Sequence, residues 1–307
     1  MLDRHGILLI GHGFLGGALA QSLASSGRIV HVLSPNSNPG QRGQIMFHRG
    51  SQDAPDTVAR LLADCHTVVH LASRTNPGSS ARRAAMEAEE NLLPVARLLE
   101  VMSASPPDRL LFISTGGAIY GNPRVLPVDE SVAPDPLSYY AAGKVALESL
   151  FTAFANAHST SLAIVRPSNL YGPGQSLLGG FGLVRTLLER ALRGEVVEMW
   201  GDGGNVRDYL FIDDVADACR RLVDATDLTG TFNAGSGEGT SIVELIDLVH
   251  TVTGCNLAVT TRPARSTDVR AIVLDSTRLR KAAGWTPHVD LATGLARTWA
   301  WLCEREK

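Results

Sequence analysis

A tyrosine and a lysine four residues apart are the side chains of this sequence best suited to chemistry. Tyr140 and Lys144 lie in the run 138–144. In a helix such residues share a face, so the ammonium lies beside the phenol and favours its ionised form. A phenol titrates near pH ~10, so a base at neutral pH needs about 4 kcal/mol of extra stabilisation of the phenolate. The pair predicts a general base whose pKa is lowered by the lysine and a second cation; the alternative is a surface tyrosine stacked on a lysine stem.

A glycine-rich turn follows the first apolar run of the chain. Gly11, Gly13 and Gly16 have the G-x-G-x-x-G spacing between a predicted strand and a predicted helix. The first glycine permits the tight turn, the second lets a pyrophosphate approach backbone N–H groups, and the third allows close packing of helix on strand. The turn therefore predicts a dinucleotide cofactor.

Short apolar runs alternate with segments of helical periodicity through the first half of the chain. The predicted strands are 7–10, 29–33, 67–71, 110–114 and 162–166, and the predicted helices are 15–25, 55–62, 82–102 and 140–157, with later helices at 182–193, 212–225 and 241–252. Continuous apolar strands between helices predict an α/β fold, a Rossmann doubly wound parallel sheet with a smaller C-terminal α/β substrate lobe. We expect a cofactor domain over 1–170 and a substrate lobe over 171–307, with the chain crossing between them.

Composition excludes several classes of function. The net charge of the 307 residues is −3, and the basic residues are scattered, so no nucleic-acid partner is expected. No apolar stretch approaches the ~20 residues of a membrane span. The four cysteines, at positions 65, 219, 255 and 303, are too far apart for a zinc site or a disulfide framework. We expect a cytoplasmic protein without a metal site.

Further strings accompany the glycine turn and the tyrosine–lysine pair in a fixed order. They are the segments 70–73 (HLAS), 118–121 (AIYG), 166–174 (RPSNLYGPG), 201–203 (GDG), 207–209 (RDY), 213–216 (DDVA), 233–235 (NAG) and 279–287 (LRKAAGWTP). Over nearly its whole length the sequence resembles the extended short-chain dehydrogenases/reductases, in particular the NAD-dependent nucleotide-sugar epimerase/dehydratase family, of the UDP-galactose 4-epimerase kind.

The resemblance implies a UDP-sugar 4-epimerase that works by transient oxidation at C4 to a 4-keto intermediate. Tyr140 is then the base, and Lys144 lowers its pKa and binds the nicotinamide ribose. The family's catalytic hydroxyl would fall on Gly116, so we assign that role to Thr115, one residue earlier, with Ser114 as second choice. Gly117 and the alanine after it replace the acids that dehydratases and decarboxylases carry, which disfavours both reactions.

The resemblance also implies two sets of binding residues. The cofactor set comprises Gly11, Gly13, Phe14, Leu15, Gly16, Ser34, Ser51, Gln52, Leu71, Ala72, Ser73, Tyr140, Lys144 and Pro167. The substrate set comprises Thr115, Asn169, Arg207, Arg265, Asp268 and Ile272. Ile272 stands where a larger side chain would limit bulk at the sugar C2 position, so its size predicts tolerance of a 2-acetamido group.

The choice of cofactor stays open at this stage. Ser34 stands where an NAD-binding acid is expected, and Arg42 is the nearest later base. NAD is favoured over NADP, and the main alternative function is an NADPH-dependent nucleotide-sugar 4-ketoreductase, followed by a non-catalytic dinucleotide-binding scaffold. The resemblance further implies a homodimer formed through the helices predicted at 82–102 and 140–157.

Overall fold

The computed structural model describes residues 6–76, 78–79, 83–177, 182–264 and 268–305. Strands and helices alternate along these residues. The strands are β1 Gly6–Ile10, β2 Val30–Ser34, β3 Gly40–Arg42, β4 Ile45–Arg49, β5 Cys65–His70, β6 Arg109–Ile113, β7 Ser161–Pro167, β8 Asn169–Tyr171, β9 Val197–Trp200, β10 Val206–Phe211, β11 Gly230–Ala234, β12 Gly239–Ser241, β13 Val259–Arg262 and β14 Ala271–Ile272. The α-helices are α1 Phe14–Ser25, α2 Pro55–Asp64, α3 Ala84–Glu87, α4 Leu93–Ser103, α5 Gly116–Ile119, α6 Tyr139–His158, α7 Leu183–Arg193, α8 Ile212–Asp224, α9 Ile242–Thr253, α10 Thr277–Ala283 and α11 Leu291–Arg305.

The large sheet has eight strands in the order β11-β7-β6-β5-β1-β2-β4-β3. All neighbours are parallel except β3, which runs antiparallel to β4. Strands β1, β2 and β6 are buried along their full length, because helices cover both faces of the sheet. The doubly wound parallel sheet predicted from the sequence is confirmed, and it brings the carboxyl ends of β1 and β6 to one edge.

The second half of the chain contributes to both parts of the molecule. Strand β10 lies in a small sheet with β12 and β14 and also pairs with β8, while β9 and β13 form a separate pair. Strand β11 instead joins the large sheet beside β7, and α8 packs against α1. The chain thus returns to the large sheet after building the smaller one; the division at residue 170 stays a prediction.

Two differences between the sequence prediction and the structure lie within the cofactor half of the chain; in addition, strands β8–β14 and helices α5, α10 and α11 were not predicted. The helix predicted over 82–102 consists of α3, a π-helical turn Ala88–Leu92 and α4, and its first predicted residue lies outside the described residues. Strands β3 and β4 were not predicted. Strand β3 is exposed and only the first residue of β4 is buried, so neither has the continuous apolar run of the central strands.

Helix α6 presents the tyrosine–lysine pair. The hydroxyl of Ser138 accepts a hydrogen bond from the backbone N–H of Ala141, a side-chain cap of the first turn. Its inner face packs on the sheet through Leu147, Phe151 and Phe154. Within the part of the chain that the structure describes, no helix is long and apolar enough to cross a membrane.

Candidate active site

Tyr140, Lys144 and Thr115 meet at the carboxyl end of β6. Tyr140 and Lys144 lie one turn apart on α6, and the Lys144 ammonium is 5.9 Å from the centre of the Tyr140 ring. Lys144 Nζ donates to the carbonyl oxygen of Ile113 at 3.0 Å, which fixes it at the end of the strand. The Thr115 hydroxyl hydrogen-bonds the phenol of Tyr140. The structure thus brings together the three side chains that the sequence analysis named.

The ionisation of Tyr140 differs from the sequence expectation. The pKa of Tyr140 is raised to about 12: burial is the largest cause, the Glu87 carboxylate also raises it, and the Thr115 hydrogen bond lowers it. The sequence instead predicts that Lys144 and a second cation lower this pKa. That expectation was wrong for this arrangement, because burial and an anion outweigh the hydrogen bond.

Lys144 is held in an environment that disfavours its charge. The side chain is 5 % exposed, and burial lowers the pKa of Lys144 to about 8. The carboxylates of Glu87 and Glu148 act in the opposite direction and raise this pKa. The ammonium therefore keeps its proton near neutral pH with the help of two buried anions.

The turn after β6 explains why Thr115 and not residue 116 faces Tyr140. Thr115 has an extended backbone and precedes α5. A Cβ at Gly116 would lie 2.8 Å from the Arg166 carbonyl oxygen and would also clash with Leu274, so this position excludes a side chain. The Ser114 hydroxyl is buried and has no hydrogen-bond partner among the described residues. The geometry favours Thr115 over Ser114 as the hydroxyl beside the phenol.

The glycine turn has the shape of a phosphate cradle. Gly11 has φ +112°, and a Cβ there would lie 2.7 Å from the backbone nitrogen of Ala72. Nothing lies within 4 Å of a Cβ built on Gly13, which precedes α1 without a side-chain cap. The first N–H groups of α1 are therefore open to an anion. Gly16 packs against the Gly11 carbonyl, and Leu15 is buried beneath while Phe14 packs on the core.

The predicted adenosine residues lie at the carboxyl end of β2 and just after β4, and each is hydrogen-bonded within the protein. Ser34 is buried, and its hydroxyl accepts from the backbone N–H of Asn36 at 3.3 Å. Ser51 donates to Asp53 and accepts from Arg74, and Gln52 Oε1 pairs with His70 Nε2 at 2.6 Å. Arg42 lies 5.4 Å from the ring centre of Phe47, which also contacts His12 of the glycine turn.

The other predicted cofactor residues line the ends of neighbouring strands. Leu71 donates its N–H to the Ile10 carbonyl at 2.9 Å, which sets the turn after β5 beside the glycine turn. Ala72 approaches Gly11, and the Ser73 hydroxyl donates to the Thr75 carbonyl at 2.9 Å. Pro167 ends β7 opposite Ala234 of β11. These residues share one edge of the large sheet with the tyrosine–lysine pair.

Three of the predicted substrate residues, Asn169, Arg207 and Ile272, lie on strands β8, β10 and β14. Asn169 Nδ2 donates to the Asp208 carbonyl at 3.3 Å and lies beside Gly117. Arg207 is paired in register with Ile272. Burial lowers the pKa of Arg207, and the Asp268 carboxylate raises it. Ile272 is 1 % exposed and packs in an apolar cluster with Ile119, Tyr120, Val128, Val269 and Leu274. Arg265 lies outside the described residues.

Comparison with known proteins agrees with this geometry. A sequence profile described as the NAD dependent epimerase/dehydratase family matches residues 7–235, about three quarters of the chain. The chain belongs to this family. The UDP-glucose 4-epimerase of Mycolicibacterium smegmatis is 31% identical over 297 residues, which cover 93% of this chain and 94% of that protein.

Two solved epimerase structures have the same fold as this family member. The UDP-glucose 4-epimerase of Thermotoga maritima, solved with UDP-glucose, superposes with a TM-score of 0.90 at 32% identity and covers 98% of this chain and 100% of that one. The Thermus thermophilus enzyme, solved with NAD, gives 0.89 at 31% identity and covers 97% and 99%. The family assignment made from the sequence is confirmed.

The residues of this epimerase/dehydratase family member fit a dinucleotide. The open space at Gly13, the uncapped start of α1 and the glycine conformation at Gly11 together leave backbone donors facing the position of a diphosphate. A larger side chain at Gly11 would meet the Ala72 backbone.

Sequence reasoning missed a buried polar cluster behind the catalytic pair. Glu87, Thr75 and Asn91 are hydrogen-bonded to each other next to α6. A second buried pair joins Arg166 of β7 to Glu148, one turn beyond Lys144. The available signal was spacing, since Tyr140, Lys144 and Glu148 recur every four residues on one helix, as do Glu87 and Asn91.

Proposed function

We propose that the protein is an NAD-dependent nucleotide-sugar epimerase that inverts C4 of a UDP-sugar through a 4-keto intermediate. The observation that carries the proposal is the placement of Tyr140 on α6, hydrogen-bonded by Thr115 and one turn before Lys144, at the sheet edge that holds the glycine turn. A base, a hydroxyl donor and a dinucleotide cradle at one edge are what oxidation of a sugar hydroxyl requires.

Each of the three side chains has one role in the proposed reaction. Tyr140 removes the proton from the C4 hydroxyl as the C4–H bond breaks and returns it after the keto sugar has turned over. Thr115 donates to the reacting oxygen and holds it at transfer distance. Lys144, anchored on the Ile113 carbonyl one turn from Tyr140, binds the nicotinamide ribose. When bound, NAD supplies the hydride acceptor and a positive charge that favours the phenolate.

The proposed cofactor and substrate contacts follow the same edge. The turn formed by Gly11, Gly13 and Gly16 holds the diphosphate at Gly13 and the start of α1, with Ser34, Ser51 and Gln52 toward the adenosine. We propose that Asn169 and Arg207 bind the nucleotide diphosphate of the substrate, with Arg265 as the second arginine. Asp268 accepts from the nucleotide ribose, and Ile272 lies at the sugar C2 position, where its size allows a 2-acetamido group.

The experiment that tests the proposal is Tyr140→Phe. We expect the rate of C4 interconversion between UDP-glucose and UDP-galactose to fall by about 10²–10⁴-fold, the usual contribution of a general acid–base group. Thermal stabilisation by UDP should be unchanged, because the phenol hydroxyl does not bind the nucleotide in this scheme. Turnover equal to that of the wild type would refute Tyr140 as the base.

The second candidate function is an NADPH-dependent nucleotide-sugar 4-ketoreductase. Ser34 favours it, since no carboxylate at the end of β2 repels a 2′-phosphate and Arg42 lies near the glycine turn. Interconversion of C4 epimers without added reduced cofactor supports the epimerase, whereas stoichiometric consumption of NADPH supports the reductase. In the Ser34→Asp variant we expect NADP binding to weaken more than about 10-fold and NAD binding to persist, because like charges repel.

We also propose a cytoplasmic homodimer. Leu93 of α4 and Leu150 of α6 are exposed apolar side chains on two helices that contact each other, which suits a partner at this face. The four cysteines are unpaired, as expected in a reducing compartment. The measurement is the molar mass in solution: a value twice that of the chain supports the dimer, and Leu150→Glu should then reduce the mass to that of one chain.

A further inference from the structure

A buried carboxylate that has no part in the proposed reaction lies behind Tyr140 and Lys144. Glu87 is the last residue of α3 and is 3 % exposed. Thr75 Oγ1 donates to its Oε2 at 2.6 Å, and Asn91 Nδ2 donates to its Oε1 at 2.8 Å. These two bonds fix the position of the carboxylate.

The segment after Glu87 is shaped to supply one of these donors. Residues Ala88–Leu92 form a π-helical turn, a rare feature that is frequent at functional sites. Asn91 lies within this turn, donates also to Thr75 Oγ1 at 2.7 Å, and accepts from the backbone N–H of Arg74 at 3.0 Å. Glu87, Thr75 and Asn91, here called the Glu87 cluster, are thus held on three sides.

A glycine in α6 leaves room for the Glu87 carboxylate. Gly143 lies between Tyr140 and Lys144, and a Cβ built there would be 2.5 Å from Glu87 Oε1 and 2.6 Å from its Cγ. Any other residue at 143 would have to displace Glu87. Glycine destabilises the interior of a helix, and the close approach of Glu87 explains why one is present at position 143.

The charge of Glu87 acts on both members of the catalytic pair. It raises the pKa of Tyr140, after the larger effect of burial, and it raises the pKa of Lys144 against the effect of burial. Glu148 also raises the pKa of Lys144 but forms a salt bridge with Arg166. The Lys144 charge in turn lowers the pKa of His70. Of the two carboxylates, Glu87 alone acts on both the phenol and the ammonium.

We propose that Glu87 is a positioning residue whose buried charge, seated against Gly143, holds Lys144 as an ammonium and sets the pH range in which the Tyr140–Lys144 pair works. The proposal rests on the proposed function, in which Tyr140 is the base. Glu87 touches neither substrate nor cofactor in it and acts through the two side chains of α6.

The test is the pH profile of kcat/KM for C4 epimerisation in Glu87→Gln. The acid limb requires loss of the Tyr140 proton and the basic limb requires retention of the Lys144 proton. Removing the anion favours the phenolate and disfavours the ammonium, so both limbs should move to lower pH. We expect a shift of about 1 pH unit or more in each, the effect of one close charge. A merely structural role would lower the rate and leave both limbs in place.

Two variants serve as matched controls. Glu90→Gln makes the same chemical change three residues away, at an exposed carboxylate that pairs with Arg74, and should leave both limbs at their wild-type positions. Glu87→Asp keeps the charge with a shorter side chain. It should return both limbs toward the wild-type pH values even if the maximal rate is lower.

A second readout does not depend on turnover. The tyrosinate absorbance of Tyr140 is obtained as the difference between the protein and its Tyr140→Phe variant, and its midpoint should be lower by about 1 pH unit in the Glu87→Gln background. Gly143→Ala should shift the midpoint in the same direction by displacing the carboxylate. Combined with Glu87→Ala, it should add no further shift.

The outcomes separate this inference from the function on which it rests. If both limbs and the tyrosinate midpoint are unchanged in Glu87→Gln while Tyr140→Phe is inactive, the proposed role of Glu87 is wrong. The proposed epimerase function then still stands. Wild-type turnover in Tyr140→Phe would overturn both. If Glu87→Gln does not fold, the Gly143→Ala midpoint decides, because an unshifted value there contradicts the proposal by itself.

Discussion

At the scale of single residues, two hydroxyls at the end of β6 compete for one role. Thr115 hydrogen-bonds Tyr140, whereas the buried Ser114 hydroxyl has no partner among the described residues. Thr115→Val keeps the shape of the side chain and removes the donor. We expect kcat for C4 epimerisation to fall by about 10²-fold, as for loss of one donor to a developing oxyanion, with KM nearly unchanged.

The adjacent serine supplies the control for this prediction. Ser114→Ala removes a hydroxyl that has no described partner, so kcat should stay within about 3-fold of the wild type, and Thr115→Ser should restore most of the activity lost in Thr115→Val. The assignment of Thr115 would be wrong if the alanine at 114 were the damaging change. Gly116 cannot take the role because its surroundings exclude a side chain.

At the scale of elements, a buried ionic network ties α6 to two strands of the large sheet, β7 and β11. Arg166 of β7 donates to both oxygens of Glu148, at 2.9 and 2.6 Å, and to the Tyr120 hydroxyl at 2.8 Å. Tyr120 in turn donates to Asn233 of β11 at 2.7 Å. Burial is the largest influence on the pKa of Arg166 and lowers it, but the bonds and charge of Glu148 and Tyr120 outweigh burial and raise the pKa above its usual range. The catalytic helix is thus fixed to a strand contributed by the second half of the chain.

Breaking this network on one side should be costly. Arg166→Met leaves Glu148 buried without its partner, and we expect a loss of about 3–5 kcal/mol in the free energy of unfolding. Urea denaturation of Arg166→Met, Glu148→Leu and the double variant measures the loss in the free energy of unfolding for each. The double variant should recover much of the loss, since no unpaired charge remains. A double variant that loses the sum of the two single losses would show that the pair is not coupled.

The elements differ in how far the sequence alone predicts them. Strands such as β1 and β6 were predictable because both faces are buried and the apolar run is continuous, and Tyr140 with Lys144 because the helical spacing is local. Strand β4 was not, since it lies near the sheet edge with only one buried residue. Glu87 reaches α6 from α3, more than fifty residues earlier in the chain, through a gap left by Gly143, and no local pattern encodes such a contact.

At the scale of the whole molecule, one buried histidine should make stability depend on pH. His70 lies in the core beside Phe112 and Phe151, and its pKa is lowered from 6.5 to about 3, mainly by burial and in smaller part by the Lys144 charge. Its Nε2 pairs with Gln52 Oε1, which fits the neutral ring. Below pH 6.5 the unfolded chain binds this proton and the folded one does not, so stability falls as the pH drops toward 3.

The free energy of unfolding should fall by about 2 kcal/mol between pH 7 and pH 5, and this loss should disappear when His70 is replaced. His70→Gln keeps a donor for Gln52 and removes the titration. This variant should be less stable at pH 7, because ring packing is lost, but should lose correspondingly less on acidification. His250→Gln, at an exposed position of α9, should retain the wild-type pH dependence in the same urea titrations.

The return of the chain to the large sheet predicts that the first half does not fold alone. A fragment of residues 1–170 would lack β11, which pairs with β7, and α8, which packs on α1 and covers part of β6 and β7. Several apolar side chains of these strands would then be exposed to solvent, and β7 would become an unpaired edge strand. We expect the fragment to be aggregated or to lack a cooperative thermal transition, and addition of a 171–307 fragment to restore one. A fragment 1–170 that melts cooperatively by itself would establish residue 170 as a domain boundary in the folding sense, and the crossing strand would then be an addition to an already complete core.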